Sequence, residues 1–190
     1  SEVTYLTLNP TWTVPPTILR EDVIPKVRRD PGYLARQNMQ VLSPSGQRLS
    51  PGQVDWSNPG NVMIRQAAGP GNSLGQVVVR FPNDHLVYLH DTPAQSLFAR
   101  EQRAFSSGCI RVQGVLEFAQ LLFDDTGSGH DLRALLRDGR TRDVPLAETM
   151  PVILHYWTVH PDPAGHLEFR PDIYQRDAAL RAALDRPLAR

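Results

Sequence analysis

The chain has 190 residues, 41% of them hydrophobic, and its 20 basic side chains balance 20 acidic ones. That length suits one domain with a real core and room for an inserted subdomain. The charge balance excludes the basic field a nucleic-acid partner requires, no apolar run approaches the roughly 18 residues of a membrane span, and a lone cysteine excludes an internal disulfide.

Seventeen prolines and thirteen glycines favour a turn-rich, strand-heavy architecture over a helical bundle. The opening S-E-V-T-Y-L-T-L-N-P lacks the character of a signal peptide and reads directly as a strand. Ser1 is therefore expected to be a mature start or the edge of a longer chain. Over Tyr5 to Asn9, Leu6 and Leu8 share one face while Tyr5 and Thr7 share the other. Pro10-Thr11-Trp12 breaks that strand. Two short helices are then expected before Asn38, the first opening at Pro16-Thr17 and the second carrying Pro25 in its first turn, with Pro31-Gly32 ending it. This proline-punctuated stretch, about residues 12–38, reads as a helical cap inserted into a single domain of residues 1–190. Trp12 suits either packing or the wall of a lid over a substrate groove.

Strands are expected at Met39–Leu42 and Val62–Gln66. Gly69–Gly75 is a glycine-rich loop without the lysine or spacing of a phosphate loop, so it reads as a turn feeding the strand Gln76–Phe81. Pro82-Asn83-Asp84 marks a hairpin between that strand and Leu86–His90. Alternation then puts Leu86, Tyr88 and His90 on one face and Val87 and Leu89 on the other. A short helix within Ala94–Arg103, a tight loop at Ser106–Cys109 and a helix over Val115–Asp124 with two apolar stripes follow. Farther on come a helix at about Asp131–Arg137 stopped by Gly139, a long strand at Pro151–Val159, a turn at Asp162–Gly165 into His166–Phe169, and a last helix after Asp177.

The chemistry concentrates between Tyr88 and Val112. A thiol becomes a good nucleophile only when a base or a positive neighbour helps it ionise, and a histidine titrates in the right range to do so. Cys109 follows Ser106, Ser107 and Gly108, small residues that let the backbone approach a substrate. They also turn N–H groups toward a developing oxyanion, for which Ser107, Gly108 and Cys109 are the candidates. A structural thiol would instead sit among bulky apolar neighbours. His90 ends a strand upstream, with Tyr88 beside it as a boundary of the same pocket. For the second nitrogen of His90, Asp91 and a backbone carbonyl are both candidate acceptors. Arg111 suits a salt bridge or a bidentate clamp on a substrate carboxylate. No H-E-x-x-H or C-x-x-C spacing occurs, which argues against a zinc site, and nothing in the chain calls for a cofactor.

H-D-T-P (His90–Pro93) followed by S-S-G-C-I-R-V (Ser106–Val112) resembles the signature of the L,D-transpeptidases, the YkuD-type catalytic domain. G-P-G-N-S-L-G at Gly69–Gly75, F-R-P-D-I-Y at Phe169–Tyr174 and P-T-W-T-V-P at Pro10–Pro15 resemble the larger periplasmic subgroup of that family. One departure is that many relatives carry a histidine directly before the Gly-Cys pair, where this chain has Ser107, which leaves His90 unrivalled as base. The resemblance implies an α+β, mainly β fold of β-sandwich-like mixed sheets with a small helical cap. It also implies a periplasmic location, Cys109 and His90 as catalytic pair, and substrate contacts from Ser106, Tyr88, Arg111 and Trp12. The implied substrates are peptidoglycan tetrapeptide stems, donor and acceptor, joined through a Cys109 thioester into 3-3 cross-links with release of D-alanine, and carbapenem-type β-lactams would acylate the same thiol. Two rivals remain at this point: hydrolysis of the same thioester, giving a carboxypeptidase or endopeptidase, and a non-catalytic peptidoglycan-binding module.

Overall fold

The structure is a computed structural model that describes residues 1–186, and the chain divides into two compact units, Ser1–Val152 and Ile153–Arg190. The fold is α+β with strands predominating, arranged in several sheets. In the first unit, strand β1 (Glu2–Leu8) alternates as its sequence requires. Leu6 and Leu8 are fully buried on one face, and Thr7 lies on the other, where it donates to Asp143 Oδ1 at 2.7 Å.

After a left-handed Asn9 the chain enters a second layer. Strand β2 (Trp12–Thr13) is followed by α1 (Pro16–Ile18), a π-wound turn at Leu19–Val23 and α2 (Ile24–Arg29). The two helices expected here form, the first opening at Pro16 and the second with Pro25 in its first turn, and the π-wound turn joins them into one helical path to Arg29. The widened turn comes just before Pro25, whose missing N–H and bulky ring would otherwise conflict with a regular helix one turn back. Helix α3 (Tyr33–Arg36) leads into strands β3 (Met39–Leu42), β4 (Arg48–Leu49) and β5 (Met63–Gln66). They form an antiparallel sheet in the order β2-β5-β3-β4. Helices and sheet share a core of Val14, Leu19, Val23, Val27, Leu34, Met39, Val41 and Ile64. The elements around this core thus continue past residue 38 to Gln66.

Two buried amides shape the return to the main sheet. Gln66 Nε2 donates to the carbonyls of Gln37 and Gly71, and its Oε1 accepts from Ser73 N–H. Asn72 Nδ2 donates to the carbonyls of Pro10 and Ala67, while its Oδ1 accepts from Leu74 N–H. Buried amides are tolerated only when paired in this way. Between them they organise the glycine-rich loop.

Strands β6 (Val77–Arg80), β7 (Leu89–His90) and β8 (Ile110–Arg111) follow, then helices α4 (Val115–Asp125) and α5 (Leu132–Leu136), and strand β9 (Arg142–Pro151). The main sheet runs β8-β7-β6-β1-β9, antiparallel throughout except for the parallel pair β7–β8. Its inner face carries Leu6, Leu8, Val77, Val79, Leu89 and Val144 against Val115, Ala119, Leu122 and Phe123 of α4. Leu116 and Phe118, partly buried, pack on the same core, so both apolar stripes expected of α4 are used. Asp131 caps α5 by accepting from Ala134 N–H at 3.1 Å.

Strand β9 replaces an expectation. A long strand had been expected at Pro151–Val159, but residues 152–158 carry no regular structure, and Ile153 and Trp157 are 83% and 61% exposed. Their β-rich composition describes fitness for a half-buried pleated surface, which counts only when a neighbouring strand offers one. The strand forms just upstream instead, where Pro145 stands opposite Tyr5. A proline is acceptable there because β9 lies at the sheet edge.

In the second unit, β10 (Val159–Pro161) pairs with β11 (Leu167–Phe169) across the turn at Asp162, and α6 (Asp177–Leu184) follows. Tyr156 packs edge-on against Tyr174 and donates to the Pro171 carbonyl at 2.9 Å.

Candidate active site

The outer face of the main sheet holds the chemistry, and strand register puts it there. Val78 pairs with His90 and Val79 with Leu89 across β6 and β7. Leu89 pairs with Ile110 and His90 with Arg111 across β7 and β8. Paired residues share a face and successive residues alternate. With Leu89 in the core, His90 and Arg111 point outward together. One step back along the strands, Arg80, Tyr88 and Cys109 form a parallel row on that same face. Two contacts agree with the extrapolation: the Arg80 guanidinium lies over the Tyr88 ring at 4.5 Å, and the Tyr88 phenol lies close enough to Cys109 to respond to its charge. Tyr88 and His90 meet edge-on, with ring centroids 5.8 Å apart.

The connection that delivers β7 is longer than the hairpin turn expected, running from Phe81 to Tyr88. Leu86 sits in the left-handed region at φ +54 and is 85% exposed, so the strand starts only at Leu89. Asn83 holds this turn from four sides. It accepts from the N–H groups of His85 and Val87 and donates to the carbonyls of Phe81 and Val87. The dipeptide Pro82-Asn83 flagged a turn in sequence, but that Asn83 fixes where Tyr88 and His90 emerge follows only from these bonds.

His90 is 5% exposed, and its Nδ1–H donates to the backbone carbonyl of Asp91. A carbonyl only accepts, so the proton resides on Nδ1 and Nε2 keeps a free lone pair. Burial pushes the imidazole below its ordinary value of 6.5, and the Arg111 and Arg80 cations push the same way against the Asp91 carbonyl. The ring is neutral at pH 7, as a general base must be. The Asp91 carboxylate does not face the ring's nitrogen; it accepts from the N–H groups of Gln76 at 2.9 Å and Thr92 at 2.7 Å. Asp91 thus meets the imidazole through its main chain, while its side chain ties β7 to the glycine-rich loop.

That tie depends on Gly75. Its φ is +62, and a Cβ there would lie 2.3 Å from Asp91 Cβ, Cγ and Oδ2. Gly75→Ala is expected to cost about 2 kcal/mol or more in folding stability. Because it displaces the Asp91 backbone that holds His90, it should also lower turnover, and thermal unfolding alongside a rate assay checks both.

The loop before Cys109 is braced by Ser106. Its hydroxyl accepts from Gly108 N–H at 3.2 Å and donates to the Cys109 carbonyl at 2.5 Å. Gly108 has φ +148, a conformation that favours glycine. With its N–H engaged, Gly108 is poorly placed to donate to an oxyanion, whereas among the described residues the N–H groups of Ser107 and Cys109 have no partner. Cys109 itself is a half-buried free thiol. Burial first, then the Cys109 charge, push the Tyr88 phenol up to about 12, so Tyr88 remains an O–H donor beside the sulfur.

Arg111 is half-buried, and its Nε is enclosed without a partner among the described residues. An enclosed, unpaired guanidinium nitrogen beside His90 is suited to accept an anionic group. Trp12 pairs with Gln66 in the second sheet and packs, partly buried, on the second core. A groove of about 450 Å³ lined by Leu116, Gln120 and Leu132 lies along α4 and α5 and holds none of these groups. Among the described residues no cluster of metal-binding side chains occurs.

A free thiol just before an edge strand, a neutral imidazole and a phenol on and beside the neighbouring strand, and a guanidinium nitrogen without a partner among the described residues are the groups gathered on this face. Residues 1–129 match the model of the L,D-transpeptidase catalytic domain, YkuD, and the chain belongs to that family of enzymes. A Haemophilus influenzae protein (strain ATCC 51907 / DSM 11121 / KW20 / Rd) named "Putative L,D-transpeptidase" is 33% identical over 187 residues, covering 96% of this chain and 38% of that protein. The chain therefore spans well under half the length of this relative.

Proposed function

We propose that the protein is an L,D-transpeptidase of the periplasm that acts on peptidoglycan tetrapeptide stems through a thioester on Cys109. Family membership supports the substrate class. The observation that supports the mechanism is the parallel register of β7 and β8, which pairs His90 with Arg111 and, extended by one step, sets Tyr88 beside Cys109 on the same face. His90 Nε2 takes the thiol proton. The thiolate attacks the carbonyl between the diamino acid and the terminal D-alanine, with the oxyanion received by the free Cys109 N–H and Tyr88 O–H. The C–N bond breaks, the leaving amine takes the proton from His90, and D-alanine departs. The amine of a second stem then attacks the thioester, giving its proton to His90; the new 3-3 amide forms and the thiol is restored. Arg111 receives a carboxylate of the stem.

The deciding experiment incubates the protein with purified tetrapeptide muropeptides and follows products by mass spectrometry. Cross-linked dimers with stoichiometric D-alanine are expected. Trimmed monomers alone would replace transfer with hydrolysis, and no product at all would remove the enzymatic reading.

A further inference from the structure

We propose that Arg80 is a positioning residue for Cys109 that acts through Tyr88, its guanidinium holding the phenol ring so that the hydroxyl stays against the sulfur. This rests on Cys109 being the nucleophile. Arg80 ends β6, Tyr88 directly precedes β7 and Cys109 directly precedes β8, so extending the register of these paired strands by one step sets the three abreast, and the guanidinium lies over the ring at 4.5 Å. A cation on the face of an aromatic ring is attracted to its π density. Withdrawing density from a phenol strengthens its O–H as a donor, and donation to a thiolate favours the ionised form.

Arg80 is itself held. Its Nε donates to Thr7 Oγ1 at 3.2 Å, and that hydroxyl donates to Asp143 Oδ1 at 2.7 Å. The chain of contacts thus crosses the whole sheet, from edge strand β9 through β1, β6 and β7 to the cysteine that opens β8. Among the described residues no carboxylate forms an ion pair with Arg80, so the ring is the main recipient of its charge. The charged and titratable groups facing the Tyr88–Cys109 pair are Arg80 on β6, His90 on β7 and Arg111 on β8, with Asp143 on β9 reached through Thr7. Arg80 also acts on His90 directly, so a test must separate that field from the route through the phenol.

Alkylation of the single cysteine by iodoacetamide, followed by intact mass across pH, makes that separation. Arg80→Met should slow alkylation at pH 7 by about fivefold and move its pH midpoint upward, and Arg80→Lys should recover most of the rate. In a Tyr88→Phe background the same Arg80→Met change should have little further effect. Unchanged alkylation in Arg80→Met, or an equal loss with and without the Tyr88 hydroxyl, would overturn the proposal. If thermal unfolding shows Arg80→Met to be unfolded, Thr7→Val, which removes the anchor of Nε together with its bond to Asp143, should slow alkylation in the same direction, and an unchanged rate there overturns it equally. A carbapenem adduct on the wild type, measured in parallel, reports on the nucleophile assignment independently of any Arg80 effect.

Discussion

Replacing Cys109 with alanine is expected to remove every covalent adduct and to lower turnover by on the order of 10⁴-fold or more, the scale seen when a catalytic nucleophile is deleted. Wild-type protein mixed with a carbapenem should gain the mass of one opened drug molecule, because the thiolate opens the strained lactam and keeps all of its atoms. The Cys109→Ala protein should gain none. Its fold should be unaffected, since the side chain is only half-buried and its loop is braced by Ser106 rather than by the thiol. An adduct that persists in the variant, or wild type that stays unmodified under prolonged exposure, would eliminate a Cys109 thioester.

His90→Ala is expected to reduce turnover by about 10²–10⁴-fold, the usual contribution of a positioned base. Loss should appear in the rate of acylation. The pH profile gives a sharper signature. Burial holds the imidazole below its ordinary 6.5, so the wild-type rate should stay high at neutral pH and fall only once the medium is more acidic than that value. The same shift couples to folding. Below pH 6.5 the unfolded chain binds a proton that the folded chain refuses, so this group's contribution to stability is present above 6.5 and is lost as pH falls toward the folded value. His90→Ala should therefore lose less stability on acidification than wild type, as urea titrations at pH 7 and pH 5 would register. A variant with normal rates would show that another group serves as base.

Several features were legible in the residues because they depend on neighbours a few positions away. The face shared by Leu6 and Leu8, the outward placement of Tyr88 with His90, the apolar stripe of α4 and the glycine before Cys109 all follow from alternation, helical spacing or a positive φ. Expectations failed where a distant partner decided the outcome. Residues 152–158 have strong β composition but no strand beside them, whereas Arg142–Pro151, with two prolines and charged residues, becomes the edge strand because β1 offers it a ladder.

The sequence by itself determined which groups are chemically competent: one thiol, a histidine two positions from a tyrosine on the same side of a strand, and a loop small enough to expose backbone N–H groups. Only the tertiary structure decided which strands stand side by side and so which of these groups share a face. Parallel pairing of β7 with β8 is a contact between segments separated by a long loop, and its register sets which side chains stand abreast. The same holds for Arg80 over Tyr88. Local preferences specify the direction a side chain takes from its own backbone; which other side chain lies in that direction is settled by strand order, and strand order is settled by how the whole sheet buries its inner face.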